Sequence, residues 1–396
     1  MWEYLTCCFP CILDKTPTLR INGASFKILD LLGEGGFSYV YLVQSQTNHS
    51  LYALKKINCP YGDTNFQQAM KEVENYREFK SPYIMKSIDS SVVQEKDGSK
   101  TIYIILPYFE NGSLQDIIDK SSVNKVKMNE DEVLRLFIGI CRGLIALHRH
   151  QLSKNYQMIL SMDGRRARGG SESEMDVPGA TDTNDNEEDN PFLSLQERQG
   201  LSDEDPTGRN QLPGHYADAD SDTVVDLLNA QDGTELTETV SMAHRDIKPG
   251  NLMLSKDGTP VLSDLGSCDK AQVLIQSRSQ AITLQEFANE HCTLAYRAPE
   301  LLDIKTGDEL DEKVDIWSLG CTLYALLYGC SPFEREEIVN GANITLAIQS
   351  GNYSFPDEPI YRDGLKLLVQ FCLVIEPKKR PSIEEVLSKA LDVQRV

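Results

Sequence analysis

Alternating apolar and polar residues mark the first third of the chain. They occur at residues 26–32, 39–43 and 51–55, which are also rich in β-branched and aromatic side chains. This pattern predicts strands with one buried face. Residues 101–106 are almost all apolar and predict a buried strand. The first third of the chain is therefore expected to form a β-sheet.

A helical period replaces the alternation in other parts of the chain. Residues 64–79 have the spacing of a helix with a polar face, and after Asn129 an apolar stripe recurs every three or four residues. Further helices are predicted from Asp315 onwards and after Ser382, whose spacing to Glu385 resembles a capping box. A sheet with one helix, followed by a mainly helical region, predicts an α+β fold.

Residues 151–240 fit neither pattern. Of the net charge of −21, residues 171–240 supply −17, because they hold 19 acidic residues against Arg198 and Arg209. The segment is rich in Ser, Asp, Asn and Gly and cannot bury enough apolar surface to offset the entropy of ordering. It is predicted to be a disordered insertion. A passive spacer is the favoured interpretation, and a partner-binding segment or a phosphorylation target stays open.

The rest of the composition excludes several classes of protein. No run of 18 apolar residues is present to span a membrane, and the N-terminus lacks the features of a secretory signal. The ten cysteines form no disulfide framework and lack the paired CxxC spacing of a zinc site. We expect a protein that faces the cytosol, has reduced thiols and binds no nucleic acid.

Three cysteines, Cys7, Cys8 and Cys11, lie among aromatic and aliphatic residues near the N-terminus. S-acylation of such thiols would anchor the chain to a membrane, and stable anchoring usually takes two acyl chains. Position 2 is Trp2 rather than the glycine that N-myristoylation requires. Residues 1–25 are therefore predicted to be an acylatable tail, and a tail with unmodified cysteines is the alternative.

Residues 244–251 read His-Arg-Asp-Ile-Lys-Pro-Gly-Asn and place three different chemical groups at fixed offsets. Asp246 can accept the proton of a hydroxyl that attacks a phosphate, Lys248 can neutralise the transferred group, and Asn251 can hold a metal ion. Asp264 follows an apolar strand and is placed to chelate Mg²⁺ that bridges the β- and γ-phosphates of ATP. Together these residues predict phosphoryl transfer.

A glycine-rich turn, Gly33-Glu34-Gly35-Gly36, separates the first two predicted strands. Glycines at these positions let backbone N–H groups approach phosphates without interference from a Cβ. Ser38 replaces the third glycine of the common GxGxxG pattern. The pocket for adenine is expected to be lined by Leu32, Val40, Ala53, Leu106 and Tyr108.

Lys55 lies two residues after Ala53, where an ammonium can reach the α- and β-phosphates. It requires an acidic partner from the helix at residues 64–79. Glu72 is the expected partner and Glu74 the alternative. Two supporting contacts are also predicted: that of Asp315 with the backbone of the catalytic loop, and that of Arg380 with Glu300.

The segment from residue 264 to 300 is expected to dock the substrate. A helix is predicted within it, at residues 283–289, with Thr283 as its cap. An ordered helix there is compatible with activity that does not depend on phosphorylation of the segment. Thr293 is expected to hydrogen-bond Asp246 and Lys248 rather than to be an autophosphorylation site.

These motifs occur in the order and approximate spacing of the eukaryotic protein kinases, over residues 26–148 and 243–392. Lys248, two residues after Asp246, resembles the serine/threonine branch. The residues that carry the resemblance are Gly33, Gly35, Lys55, Glu72, Asp246, Lys248, Asn251, Asp264, Gly266, Ala298, Pro299, Glu300, Asp315 and Arg380. The resemblance implies a bilobal fold, with an N-lobe at residues 26–106 and a C-lobe at residues 107–392 that the insertion interrupts.

Three details resemble the Numb-associated kinases more narrowly: the sequence GEGGFSYV at residues 33–40, Asp264-Leu265-Gly266 in place of Asp-Phe-Gly, and the long segment that contains Thr283. Within that group the chain is similar to the small lipid-anchored kinases of the Golgi and of the fungal vacuole membrane. This implies ATP and Mg²⁺ as cofactors, protein substrates with Ser or Thr, and autophosphorylation. It also implies a role in vacuolar membrane fusion or trafficking on the cytoplasmic face of the vacuole, with the Golgi as second choice.

Two other functions are weighed against this one. A pseudokinase scaffold could recruit partners through the acidic insertion, but every catalytic position keeps its functional residue, whereas scaffolds commonly lose at least one. A phosphotransferase for small molecules would not need the substrate-docking run that ends in Ala298-Pro299-Glu300. The sequence therefore favours an active protein kinase.

Overall fold

The computed structural model of the chain describes residues 17–35, 38–60, 63–95, 97–151 and 239–395. Gly36, Cys7, Cys8 and Cys11 lie outside these residues, and so does most of the predicted insertion. What the sequence predicts for them stays a prediction.

A six-stranded antiparallel sheet and one helix form the N-terminal lobe. The strands are β1 (Thr18–Ile21), β2 (Ala24–Glu34), β3 (Ser38–Ser45), β4 (Leu51–Cys59), β5 (Asp89–Gln94) and β6 (Lys100–Pro107). Their spatial order is β1-β2-β3-β4-β6-β5. Helix α1 (Asp63–Glu78) follows β4. This arrangement confirms the predicted antiparallel sheet with one helix.

The sheet begins earlier in the chain than predicted. Strand β1 lies inside the predicted tail of residues 1–25 and pairs with β2, so that Leu19 faces Phe26. Ile21 is only 2% exposed and belongs to the core of the lobe together with Phe26 and Val43. Four residues give too short an apolar pattern to mark a strand, and it is burial against the sheet that fixes this one. Strand β5 was not predicted either. Its valines are exposed, so it does not show the pattern of a strand with one buried face.

The second lobe is mainly helical, as predicted. Its helices are α2 (Leu114–Asn124), α3 (Glu130–His148), α4 (Arg278–His291), α5 (Lys313–Tyr328), α6 (Pro332–Asn340), α7 (Ile344–Ser350), α8 (Asp363–Cys372) and α9 (Ile383–Gln394). Helix α5 is buried on all sides from Val314 to Leu327, which places it at the centre of the lobe. None of the helices in the described part of the chain is long and apolar enough to cross a lipid bilayer.

Short two-stranded ladders position the loops between these helices. They join β7 (His150–Gln151) to β8 (Thr239–Val240), β9 (Met242–Ala243) to β12 (Asp269–Lys270), β10 (Leu252–Leu254) to β11 (Pro260–Leu262), and β13 (Val273–Leu274) to β14 (Glu309–Leu310). The β7–β8 ladder contains the two ends of the predicted insertion. The chain therefore enters and leaves residues 152–238 at neighbouring positions.

Side-chain caps determine where helices α4 and α9 begin. Ser277 caps α4, because its Oγ accepts a hydrogen bond from Gln280 N at 3.2 Å. The prediction that Thr283 is the cap is therefore wrong. Residues 278–282 have no apolar period that would mark them as helical, and Thr283 lies inside the helix. Ser382 and Glu385 form the complete capping box that their spacing predicts.

Candidate active site

Three charged side chains from distant parts of the chain meet at one point. Nζ of Lys55, in β4, lies 2.7 Å from Glu72 Oε1 in α1 and 2.7 Å from Asp264 Oδ1. The Lys55 and Glu72 side chains are buried, and that of Asp264 is 47% exposed. Glu72 is therefore the partner of Lys55, while the alternative, Glu74, pairs with Arg77.

The Lys55 ammonium favours the charged form of both carboxylates, whereas burial and the nearby Asp264 raise the pKa of Glu72. Burial acts to lower the pKa of Lys55, but the carboxylates of Asp264 and Glu72 outweigh it and hold that pKa well above its usual value. The Lys55 ammonium in turn lowers the pKa of Asp264 to about 2. Lys55 is thus positive and Asp264 negative throughout the neutral pH range.

The backbone around Asp264 is adapted to this ion pair. Asp264 has a φ of 57°, in the left-handed region that costs free energy for a residue with a Cβ. Two residues later, a Cβ on Gly266 would lie 3.1 Å from Glu72 Oε2. Glycine at this position therefore leaves room for the carboxylate that pairs with Lys55.

The catalytic loop surrounds the carboxylate of Asp246 with donors. Its Oδ1 accepts a hydrogen bond from Thr293 N at 2.8 Å, and its Oδ2 accepts one from Asn251 Nδ2 at 2.9 Å. Lys248 Nζ lies 2.8 Å from Oδ2 and also donates to Thr293 Oγ1 at 2.6 Å. Thr293 thus contacts both residues named in the prediction, Asp246 through its N–H and Lys248 through its hydroxyl. A cavity of about 420 Å³ opens beside Lys248 and Thr293.

A buried carboxylate supports the catalytic loop from the centre of the lobe. Asp315 is 0% exposed and accepts hydrogen bonds from His244 N at 2.8 Å and from Arg245 N at 2.7 Å. Arg245 has a φ of 66°, so these bonds hold a strained turn in place. Asp315 therefore makes the predicted contact with the loop backbone, while Glu312 occupies the cap position of α5.

The predicted pair of Glu300 and Arg380 closes the substrate-docking segment. The guanidinium binds the carboxylate through two nitrogens, at 2.7 and 3.1 Å, and its side chain is fully buried. It also lies 5.3 Å from the centre of the Trp317 ring. A bidentate pair that is removed from water fixes the end of the segment on α5.

The residues predicted to surround the nucleotide lie on adjacent strands. Val40 pairs with Gly33 on one side and with Lys55 on the other, and Ala53 pairs with Leu106. These pairings bring the glycine turn, the lysine and the pocket wall together. Of the remaining residues, Leu32 is exposed in β2 and Tyr108 is half-buried directly after β6.

The turn after β2 is closed by the backbone. Gly35 N donates a hydrogen bond to Ser38 O at 2.7 Å. A Cβ on Gly35 would lie 3.1 Å from Ser38 Oγ, which is closer than most side chains tolerate. Gly35 is therefore the glycine that this close approach to Ser38 requires.

Two side-chain oxygens of the site suit a magnesium ion. Asn251 donates to Asp246 through Nδ2, so its Oδ1 has no hydrogen-bond partner in the described part of the chain. Asp264 binds Lys55 through Oδ1 and keeps its second oxygen free of hydrogen bonds within the same residues. Amide and carboxylate oxygens are ligands that Mg²⁺ accepts together with phosphates and water. These residues therefore fit the metal that the predicted chemistry needs.

Several contacts between α1 and the segment after Asp264 were not predicted. Lys71 Nζ lies 2.6 Å from Asp269 Oδ2, and Asn75 Nδ2 donates to Leu265 O and to Cys268 O, each at 3.0 Å. No sequence spacing marks these residues, because they are far apart in the chain and belong to no motif. Only the three-dimensional arrangement identifies them as part of the site.

Comparison with known proteins identifies the family to which the chain belongs. The chain matches the protein kinase domain over residues 26–154 and 235–391. It is 39% identical to serine/threonine-protein kinase ENV7 of Saccharomyces cerevisiae, over 99% of this chain and 98% of that protein. It is 36% identical to serine/threonine-protein kinase ppk13 of Schizosaccharomyces pombe, over 94% and 92%. It is 28% identical to human serine/threonine-protein kinase 16, over 94% and 91%.

The family match covers most of both described lobes and every residue of the site. In this family ATP donates the phosphate and Mg²⁺ is the metal, which agrees with the oxygens of Asn251 and Asp264 and with the ammonium of Lys55. The chain therefore belongs to the protein kinase family, as an ATP- and Mg²⁺-dependent enzyme of the serine/threonine class to which the names of these relatives assign them.

Proposed function

We propose that the chain is a membrane-tethered serine/threonine kinase that transfers the γ-phosphate of ATP to hydroxyl groups of proteins, including its own. The observation that carries this proposal is the set of donors around Asp246, in a site where Lys55 is already paired with Glu72 and Asp264. A scaffold without activity would not need these contacts.

The nucleotide side of the proposed mechanism depends on Lys55. Its ammonium would bind the α- and β-phosphates, and Glu72 would hold it in position. Asn251 and Asp264 would hold Mg²⁺, which would neutralise negative charge on the phosphates. The glycine turn would cover the phosphates with backbone N–H groups, and the adenine would lie between Leu32, Val40, Ala53, Leu106 and Tyr108.

The acceptor side depends on Asp246. Its carboxylate would accept a hydrogen bond from the substrate hydroxyl and take its proton as the oxygen attacks the γ-phosphorus. The bond between the γ-phosphorus and the bridging oxygen breaks, and ADP leaves. Lys248 would neutralise the phosphoryl group in transit, and the hydroxyl of Thr293 keeps the Lys248 ammonium directed into the site.

The direct test is transfer of labelled γ-phosphate from Mg-ATP by the purified chain and by its Lys55→Ala variant, followed by phosphoamino-acid analysis. We expect label on Ser or Thr that disappears in the variant. Label on Tyr would contradict the serine/threonine assignment. An inactive wild-type protein that still binds ATP would support the pseudokinase scaffold instead.

The membrane tether is proposed from the sequence alone. Cys7, Cys8 and Cys11 would carry the acyl chains, and the apolar residues around them would make the first contact with the bilayer. Resemblance to lipid-anchored kinases supports the cytoplasmic face of the vacuole as the location and membrane fusion or trafficking as the process. We propose the vacuole first and the Golgi second.

Fractionation of cells tests the tether. The variant with Cys7, Cys8 and Cys11 all changed to Ser is expected to move from the membrane fraction to the soluble fraction, while its kinase activity stays unchanged. Hydroxylamine, which cleaves thioesters, should release the wild-type protein in the same way. The Cys330→Ser variant is the control, because it removes a thiol from the helical lobe. A triple variant that stays on the membrane would refute the proposal.

We further propose that residues 151–240 act as a spacer inserted into a C-lobe that spans residues 107–392. The pairing of β7 with β8 supports this, because the two ends of the insertion are already joined to each other by a ladder. Replacement of residues 153–237 by a short Gly-Ser linker should leave the rate of peptide phosphorylation unchanged. A large loss of activity in a folded protein would assign the insertion a role in catalysis.

A further inference from the structure

Three side chains on one face of helix α1 bond to the segment that follows Asp264. Gln68 Nε2 lies 2.6 Å from His291 Nε2, Lys71 binds Asp269, and Asn75 binds the backbone at Leu265 and Cys268. These three positions of α1 follow one another at intervals of three and four residues, the spacing of a single helix face. Glu72, which holds Lys55, lies among them.

Of the residues that α1 contacts here, Asp269 also forms an ion pair with the catalytic loop. Its Oδ2 lies 2.6 Å from Lys71 Nζ and 3.9 Å from Arg245 Nη1. Arg245 is 6% exposed, and besides this ion pair it donates a hydrogen bond from Nη2 to Lys270 O at 2.6 Å. One carboxylate therefore lies between a cation of the N-terminal lobe and a cation of the catalytic loop.

The backbone holds Asp269 in this place. Strand β12, which consists of Asp269 and Lys270, pairs with β9, so that Asp269 is opposite Ala243 and directly beside the start of the catalytic loop. Burial acts to raise the pKa of Asp269, but Lys71 and Arg245 outweigh it and lower that pKa. The carboxylate is thus ionised at neutral pH, and the ladder fixes the backbone from which it extends.

We propose that Asp269 is a positioning residue for phosphoryl transfer, which couples Arg245 of the catalytic loop to Lys71 of α1 and thereby keeps Glu72 on Lys55. This inference deepens the proposed kinase function and rests on it. In many kinases a phosphate added to the activation segment supplies the negative charge that orders the segment through arginine. Here a side chain of the segment itself supplies that charge.

The consequence concerns regulation. Since Lys71 and Glu72 are adjacent in α1, loss of the Asp269 contact frees the helix next to the residue that orients Lys55. A charge-assisted hydrogen bond contributes more than a neutral one, and its loss here is expected to lower kcat about tenfold. Removal of all covalently bound phosphate from the wild-type protein is expected to leave kcat unchanged, because the Asp269 carboxylate supplies the negative charge without phosphorylation.

The experiment compares full-length variants after phosphatase treatment, with a degenerate Ser/Thr peptide library as acceptor. Asp269→Asn removes the charge and keeps the size of the side chain. Lys71→Met keeps the aliphatic stem and removes the ammonium. Asp303→Asn is the matched control, because Asp303 is 61% exposed and its pair with Lys305 lies on the surface. The thermal unfolding midpoint of each protein is measured beside kcat and KM.

We expect Asp269→Asn and Lys71→Met each to lose about tenfold in kcat, and the double variant to lose no more than either single one. KM for the peptide and the unfolding midpoint should stay close to wild type, as should all properties of Asp303→Asn. If Asp269→Asn does not fold, the kcat of Lys71→Met alone tests the inference. A loss of about tenfold is expected, and a wild-type kcat would contradict it.

Three results would overturn the inference. The first is wild-type kcat in Asp269→Asn or Lys71→Met, and the second is a double variant whose loss is the product of the two single losses. The third is a wild-type protein that loses its activity on phosphatase treatment. A wild-type protein without activity before that treatment would instead refute the proposed kinase function, so the two failures are distinguishable.

Discussion

The two sides of the active site are built in different ways. The acceptor side is built mainly from one stretch of chain around Asp246, to which Thr293 adds two hydrogen bonds, and it is supported by Asp315, which is fully buried and bonded to two backbone N–H groups. The nucleotide side joins Lys55, Glu72 and Asp264 from three separate elements through side-chain charges, and the last of these is 47% exposed.

This difference separates what the fold requires from what catalysis requires. A buried carboxylate that satisfies backbone donors cannot be lost without cost to the folded state, because those donors would stay unpaired. Lys55 and Glu72 are buried as well, but Lys55 keeps Asp264 as a second partner when Glu72 is changed, so we expect the loss of Glu72 to affect the position of Lys55 more than the stability of the fold. We therefore expect substitution of Asp315 to act mainly on folding, and substitution of the side chains that face the nucleotide or the acceptor hydroxyl to act mainly on rate.

The largest expected effect is that of Asp315→Asn. It removes the charge that binds His244 N and Arg245 N and should lower the free energy of unfolding by about 3 kcal/mol. Denaturant unfolding followed by tryptophan fluorescence measures the change, with Asp303→Asn as the exposed control. A variant as stable as wild type would show that the loop does not need this support.

Glu72→Gln tests the opposite expectation on the nucleotide side. The variant should lose about 2–3 kcal/mol of transition-state stabilisation, or roughly 30- to 160-fold in kcat/KM, while the free energy of unfolding changes by less than about 1 kcal/mol. Glu74→Gln, two residues along the same helix, is the matched control and should keep the wild-type rate. Equal losses in both variants would mean that α1 responds to any loss of charge.

Thr293→Val tests the contribution of the Thr293 hydroxyl to the acceptor side. It removes the hydroxyl that binds Lys248 but keeps the backbone N–H that binds Asp246. The expected loss is about tenfold in kcat, or about 1.4 kcal/mol, whereas Thr293→Ser should retain most of the rate. Mass spectrometry of the active enzyme should find Thr293 unmodified. Extensive phosphorylation of Thr293 would reverse this assignment.

The smallest expected effect is the pH dependence of His291, which joins α4 to Gln68 of α1. Burial lowers the pKa of His291, so the folded protein binds this proton less readily than the unfolded chain does. The stability that results is complete above about pH 6.5 and is lost as pH falls through the lower pKa of the folded state. We expect His291 to contribute less than about 1 kcal/mol to the free energy of unfolding in this way, because its side chain is partly exposed.

Unfolding midpoints between pH 8 and pH 5, compared between wild type and His291→Gln, isolate this contribution from other histidines. The difference between the two proteins should shrink as the pH falls. A constant difference over the whole range would show that His291 does not titrate in that interval.

Motifs allowed the chemistry of the site to be predicted, because phosphoryl transfer restricts which residues can follow one another around Asp246 and Asp264. The mostly apolar run after Asp315 likewise predicted helix α5, and the alternation of apolar and polar residues predicted most of the sheet. The pattern failed at β1, where four residues are too few to show a period, and at the start of α4, which Ser277 caps within a polar stretch. The ion pair of Lys71 and Asp269 follows from the packing of α1 against the segment after Asp264, and no local pattern contains that information.

The most direct test of the central claim is the rate of phosphate transfer by Asp246→Asn, with ATP affinity measured on the same preparation by calorimetry. The amide keeps the shape of the side chain but cannot take a proton. We expect ATP affinity close to that of wild type and a kcat lower by about 10²- to 10⁴-fold. A variant that binds ATP and transfers phosphate at the wild-type rate would contradict the assignment of Asp246, and with it the proposed mechanism.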